Sequence, residues 1–513
     1  MLKVDFRFST EINCCSDDFD YFIHAETIVE DFDFDYSNQL LGVEKARFFK
    51  NNKSAPIGFA GSGLFSAPFM FLGIILDKLT TMFTLKSSIV SYKLLIYSFS
   101  AISYLFFSFN YILKTLKLLE LNYQKLDVAI LILGVGISYY AFERYSMTHV
   151  YEGFSLTMLI YYSVKFFKHK DFKSTILIPA MMILGFSVKW VHVYLFFIPL
   201  VIKYLFFEKN KFELYKNKTF LISGIIFTSA FLYINKLIYG IYTINPSYIY
   251  ISDTNENVKV EELVNFWESP FELIVTFVKR FFIILFTQEF GLFWFSPILF
   301  IGTIFSLIAL IKSIKMGKSS KIGSIILCLC IGQVFFITIL WKSPGSAYGF
   351  RYIFNLYPLL IIFYYYFLDK FEFKFIHKFL MLMSIFSFFS TLFFESTSLT
   401  QLSLEKELNS FGIMSQFTQR HYLEGYIYSF KELDSYLKLF TTSFFGAIIL
   451  KLLIYFLGAE TLLLLMSNFG LPTSNQKFIL LIDNLEQIEF HYFLIVIIFA
   501  YVIFRLFKKN FNY

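Results

Sequence analysis

The chain has 513 residues, of which 57% are hydrophobic, 22% aromatic and 16% charged; soluble domains carry about a quarter charged residues, so the composition excludes an ordinary water-soluble globular protein. Its 72 Phe and 35 Tyr cannot stay solvated, and 4 Cys cannot staple a chain of this length, which removes disorder and a disulfide scaffold. The net charge of +7, from 45 basic and 38 acidic residues, suits membrane orientation better than nucleic-acid binding.

Residues 1–13 are polar and mixed, with neither a signal-peptide core nor a membrane-spanning run. From Glu11 to Glu44 there are ten carboxylates and no Lys or Arg. Ser16 is a good N-cap, and Phe19, Phe22, Ile23, Ile28 and Val29 follow a helical stripe, so 17–30 reads as a short amphipathic helix on the membrane surface. Asp17 and Asp18 stand in its first turn, where the helix dipole favours their ionised forms. Asp31, Asp33 and Asp35 then alternate with aromatic residues, so an extended chain would carry three carboxylates on one face. An EF-hand fails, because Tyr36 and Gly42 occupy the positions of its turn glycine and closing glutamate. Two readings stay open for these three Asp: a divalent-metal site, or a solvated acidic loop whose rings rest on headgroups.

A helix of about 20 apolar residues crosses a bilayer. Such runs lie near 59–76, 88–113, 126–142, 150–167, 174–188, 193–207, 219–241, 291–311, 322–341, 351–368, 378–394, 440–466 and 490–507. The expected fold is all-α: a polytopic integral membrane protein of about 11–13 transmembrane helices forming one domain over 1–513. Within it, 1–58 is an acidic outer loop, 59–394 the helical core, 395–439 a second outer loop and 440–513 the C-terminal helices. Lysine clusters at 165–173, 209–218, 312–321 and 370–378 belong on the cytoplasmic side, which puts 143–149, 189–192, 243–290, 342–350 and 395–439 outside. Both ends break this alternation. With 1–58 outside, two full early spans would strand Lys114, Lys117 and Lys125 outside, so one early run is a partial or re-entrant helix. The last two runs would leave Lys508 and Lys509 outside, so a segment is miscounted there.

Charged and polar groups at the outer ends are the candidate site residues. Glu143, Arg144 and His149 share the turn 143–149 and either shape a binding pocket there, or Glu143 and Arg144 merely pair with each other. Lys189 and His192 flank Trp190 in the next outer turn, and Arg280 precedes Gly291 in an amphipathic segment; snorkelling to the interface is the plainer reading of these three. Arg351 follows a glycine-containing loop and opens a helix at the boundary, where its planar fork either matches a phosphate or anchors the helix end. Zinc-like spacing, a glycine-rich phosphate loop and a nucleophile elbow are all missing.

Four segments carry a family resemblance. Ser16-Asp17-Asp18-Phe-Asp-Tyr21, followed by the acidic stretch from Ala25 to Asn38, resembles the first external loop of the polyprenyl-phosphate-sugar glycosyltransferases. These form the protein O-mannosyltransferase and aminoarabinose-transferase superfamily, with its GT-C fold. Ala55-Pro56-Ile57-Gly58 is similar to the entry of that family's next helix. Gly291-Leu-Phe-Trp-Phe-Ser296-Pro297 and Gly345-Ser-Ala-Tyr-Gly349-Phe-Arg351-Tyr352 resemble two later loops, in the same order. The acidic pair is Asp-Asp here instead of Asp-Glu, and the family's helix ahead of it has no counterpart before Ser16, as in a truncated start or an inactive relative. The resemblance implies inverting transfer of a sugar from a polyprenyl-phosphate donor to a lipid, glycan or protein acceptor, at the extracytoplasmic face of the inner membrane. It further implies Asp17 as general base with Asp18 second, and Arg351 on the donor phosphate with Lys189, His192 and Arg280 as weaker candidates. No cofactor is required, although a divalent metal at Asp31, Asp33 or Asp35 is compatible with it. Membrane lipid is the expected surrounding and nucleic acid is not a partner. The rival class is a transporter or lipid flippase, which would place its charges near mid-membrane and show internal repeats.

Overall fold

The computed structural model describes residues 16–40, 48–50, 53–56, 58–82, 91–142, 144–207, 214–244, 270–287, 291–313, 318–340, 348–371, 374–393, 431, 436, 444–468 and 476–511. Among these the chain is helical except for one hairpin, absent from the sequence reading, in which Phe48–Lys50 pairs antiparallel with Lys53–Ala55.

Helix α1, Ser16–Glu30, begins where the capping signal predicts. It is more than a surface strip, however. Tyr21, Phe22, Ile23, Ala25 and Val29 are buried, and so are Asp18, Asp20, His24 and Thr27 on its polar side. Protein covers both faces, because α1 packs on α2 (Gly61–Met82) and touches α3 (Tyr92–Leu118) through Phe22 against Tyr97 and Glu26 and Glu30 against Lys93. Gly63 permits the packing on α2, since a Cβ there would stand 2.5 Å from His24 Cβ.

Helices α2 and α3 run antiparallel: Tyr104 donates to the Phe65 carbonyl, and Asp77 accepts from the backbone N–H groups of Tyr92 and Lys93, capping α3. At the far end of α3, Lys168 on α6 (His149–His169) reaches the Leu118 carbonyl and Glu120, so α3 crosses from the α1 side to a lysine-rich side. Helix α7 (Phe172–Val188) returns, and its last residues meet Gly61, where a Cβ would lie 2.4 Å from Val188 N. Gly61 thus meets the end of α7, and Asp77 the start of α3.

The next elements are α4 (Lys125–Leu133), α5 (Ile137–Phe142), a 3-10 turn Val193–Phe197 leading into α8 (Ile198–Phe206), and α9 (Lys218–Tyr239). They are followed by α10 (Pro270–Phe286), α11 (Leu292–Phe295), α12 (Pro297–Ser313), α13 (Lys318–Leu340), α14 (Arg351–Phe354), α15 (Tyr357–Phe371) and α16 (Lys374–Phe393). Helices α17 (Phe444–Leu457) and α18 (Ala459–Asn468) meet at Gly458, with φ of 81°, and bend by 110°. The run 440–466 is thus not one straight span. After α19 (Gln476–Gln487), α20 (Phe490–Phe511) lies parallel to α3, with Tyr92 on Tyr492 at 4.3 Å and Phe99 on Phe499 at 4.1 Å. Its direction carries 508–509 toward the Leu118 end of α3.

Among the described residues five helices are by themselves long and apolar enough to cross a membrane: Gly61–Met82, Tyr92–Leu118, Lys218–Tyr239, Lys321–Ile339 and Phe375–Leu392, with the bent pair a sixth at most. That is consistent with a multi-pass membrane protein, and shorter apolar helices lie beside them at Phe172–Val188, Val193–Phe206, Pro297–Lys312, Tyr357–Asp369 and Phe490–Leu506. Several runs are interrupted: 126–142 at Gly134, 291–311 at Ser296 and Pro297, and 351–368 between α14 and α15. Glycine and proline weaken or remove the ladder hydrogen bonds that a continuous helix needs. Where α9 faces outward, Leu221, Ile222, Ile225 and Ile226 are exposed, an apolar flank suited to lipid.

The lysine rule predicts that cysteines placed at Ser252 and Ser319 react with an impermeant maleimide from opposite sides. Labelling of both from one side would overturn the orientation.

Candidate functional site

At the α1 end, four segments far apart in sequence converge: the start of α1, the turn before α6, the turn after α7 and the start of α14. The two carboxylates of α1 have different fates. Asp18 is fully buried and accepts from Arg144 and from Ser146 Oγ. Burial opposes the charge of Arg144 and the Asp18 carboxylate outweighs it, so the guanidinium pKa stands above its ordinary value. Asp17, one residue earlier, keeps 34% of its side chain exposed and lies 4.0 Å from the Arg351 guanidinium.

Arg351 is placed by its local sequence. Gly349 takes φ of 67°, and a Cβ there would lie 2.5 Å from the Phe354 ring, so the turn into α14 requires glycine. The Arg351 N–H then closes onto the Gly349 carbonyl at 3.0 Å. Lys189 arrives from the other side, where Tyr21 Oη accepts from its ammonium at 2.9 Å. Lys189 and Arg351 stand 5.4 and 5.5 Å from the centre of one ring, that of Tyr352, so two cations share an aromatic at the mouth of the site.

Beneath them lies a polar knot that the sequence reading did not assemble. Glu152, in the first turn of α6, is 2% exposed. Its Oε2 accepts from His192 Nε2 at 2.6 Å, and Thr148 Oγ1 donates to its Oε1. His149 Nδ1 is 3.2 Å from Oε1, but at an angle that makes no good hydrogen bond. Asn355 Nδ2 lies 3.0 Å from His192 Nδ1 and 3.4 Å from Glu152 Oε2. Glu152 and Asn355 thereby tie the turn bearing Lys189 to the helix bearing Arg351. The missed signal was a carboxylate inside an apolar run, where an ionisable group is costly without a partner or a task.

Of the predicted residues, the structure brings Asp17, Asp18, Arg144, His149, Lys189, His192 and Arg351 into this one region. Glu143 lies outside the described residues, as do 245–269 and most of 395–439. Arg280 is engaged elsewhere, donating to the Ile339 carbonyl at the end of α13 at 2.9 Å. The extended alternation of Asp31, Asp33 and Asp35 does not form. Asp33 Oδ1 accepts from the Asp35 N–H and Asp35 Oδ1 from the Ser37 N–H, while Asp31 accepts from Asn38 and Gln39. Such local side-chain bonds curl the chain into turns. Among the described residues no group of three His, Cys, Asp or Glu is arranged to hold a metal ion.

The docking of α1 should weaken in acid. His24 Nε2 donates to the Gly58 carbonyl at 3.1 Å, which leaves Nδ1 to accept from the Tyr36 hydroxyl at 2.6 Å, so the ring sits neutral. Burial lowers its pKa from 6.5 to about 4, against a smaller opposing pull from Gly58. The unfolded segment therefore binds the proton first. The stabilisation is complete above pH 6.5 and is lost as the pH falls toward 4, by up to about 3 kcal/mol. The hydrogen-exchange protection factors of 16–40, taken relative to the intrinsic rate at each pH, should fall across that window and level off below it; protection factors that stay flat would refute the assignment.

Comparison with protein-family models, with curated proteins and with solved structures finds no match for this chain, so the residues and their geometry carry the functional argument.

Proposed function

We propose that the chain is a multi-pass membrane glycosyltransferase that moves a sugar from a polyprenyl-phosphate donor to an acceptor hydroxyl at the outer face of the cytoplasmic membrane. The observation that supports it most is the pairing of Asp17 with Arg351, residues 334 positions apart that two separate motif resemblances single out, at 4.0 Å beside Lys189. Eleven crossings suit this reading: α3, 125–142, α6, α7, 193–206, α9, 292–313, α13, 351–371, α16 and α20. In this reading α2 does not cross, the N-terminal segment lies outside and the last lysines lie inside.

In this mechanism Asp17, half-open to the site, takes the proton of the acceptor hydroxyl. The acceptor oxygen attacks the anomeric carbon from the face opposite the phosphate, the bond from that carbon to the phosphate oxygen breaks, and the lipid phosphate departs with the electron pair. Arg351 and Lys189 receive its charge. Asp18 is committed to Arg144 and holds α1 in place, while the Glu152 knot keeps Lys189 and Arg351 at a fixed spacing. The charges gather at one end of the bundle and not at mid-membrane, which favours a transferase over a transporter.

The test is incubation of the purified protein with a panel of polyprenyl-phosphate sugars, following loss of donor. Arg351→Ala should weaken donor binding by roughly 1.5–3 kcal/mol, the worth of a charge-assisted hydrogen bond. No consumption of any donor, with the fold intact, would remove the proposal.

A further inference from the structure

On the lipid-facing flank, a groove of about 450 Å³ opens between α7 and α9. Its origin is local. Pro179 of α7 faces Gly224 of α9, where the missing side chain leaves room: a Cβ there would make only one ordinary contact, 3.9 Å from Pro179 Cβ. Met182, Phe196 and Phe220 line the groove, and Leu221 and Ile225, 48% and 67% exposed, form its outer lip. It is apolar, narrow and open sideways to where hydrocarbon would be.

One end is different. Tyr215 closes the groove there, its hydroxyl donating to the Phe196 carbonyl at 3.2 Å. Exposed Lys216 and Lys218 adjoin it at the start of α9, and exposed Lys173 lies in the first turn of α7. The nearest carboxylate in α7, Asp171, already caps Ser174 and pairs with Lys165. An apolar slot with a cationic mouth at the bilayer boundary matches a lipid that has a negative headgroup.

We propose that this groove seats one acyl chain of an anionic phospholipid from the cytoplasmic leaflet, with its phosphate held at Lys216 and Lys218. The inference stands apart from the glycosyltransferase reading and needs only that the lysine-rich ends face the cytoplasm. The donor of the proposed reaction is not the occupant favoured here, because its phosphate belongs at the Lys189 end of α7, opposite the cationic mouth.

The probe is the full-length protein in nanodiscs of phosphatidylcholine and phosphatidylglycerol in equal parts, with retained lipid counted by native mass spectrometry after transfer to detergent. One phosphatidylglycerol should be retained in preference to phosphatidylcholine. Gly224→Leu fills the slot and should expel it, whereas Ile222→Leu on the same exposed flank should not. Lys216→Ala and Lys218→Ala should each weaken retention about fivefold, and these surface changes keep the test decisive if Gly224→Leu folds poorly. Equal retention of the two lipids, or unchanged retention in both lysine variants, would overturn the proposal. So would a folded Gly224→Leu protein that keeps its phosphatidylglycerol but no longer consumes a polyprenyl-phosphate sugar, since the slot would then belong to the donor chain. Failure of every donor to react leaves the lipid count unaffected, so the two proposals fail separately.

Discussion

Asp17→Asn should lower sugar transfer by roughly 10²–10⁴-fold, the usual worth of a positioned general base, while leaving donor binding largely intact. The amide keeps the size and most of the hydrogen bonding of the carboxylate and loses only its basicity. Stability should change little, within about 1 kcal/mol, because the contact with Arg351 is long at 4.0 Å and both side chains reach solvent. Donor loss under single-turnover conditions, with the melting temperature alongside, measures both. Near-normal transfer by Asp17→Asn together with its abolition in Asp18→Asn or Asp33→Asn would show that the base is another carboxylate. If no carboxylate from Asp17 to Asp35 matters, the mechanism as written falls.

The neighbouring residue should behave in the opposite manner. Asp18→Ala removes the buried carboxylate that the Arg144 guanidinium donates to, and breaking such a buried pair costs roughly 3–5 kcal/mol. Ser146 loses its acceptor in the same change. Unfolding in detergent should register the loss, and pairing Asp18→Ala with Arg144→Met should recover much of it, because the double change removes both buried charges. A loss below about 1 kcal/mol would mean that water or another group compensates Arg144. Two adjacent carboxylates are thereby separated by experiment: Asp17 by turnover, Asp18 by stability.

The amino-acid sequence by itself determined the helical, membrane-like character, since composition and run length are properties of the chain before it folds. It placed α1 within one residue, because Ser16, the acidic first turn and the apolar stripe are local signals. It also named most residues of the α1-end cluster, because charges at the ends of apolar runs stand out one by one. Only the tertiary structure decided the rest. How α2 is seated depends on Gly61 meeting the end of α7 and Asp77 the start of α3, relations between distant segments. That Asp17 stays open while Asp18 is consumed depends on Arg144 and Ser146, more than 120 positions away, where no local pattern reaches. Glu152 looked like one polar residue in an apolar run until His192 and Asn355 closed on it. The three Asp after α1 went the other way, since turn bonds within eight residues overrode the alternation that an extended chain would have shown.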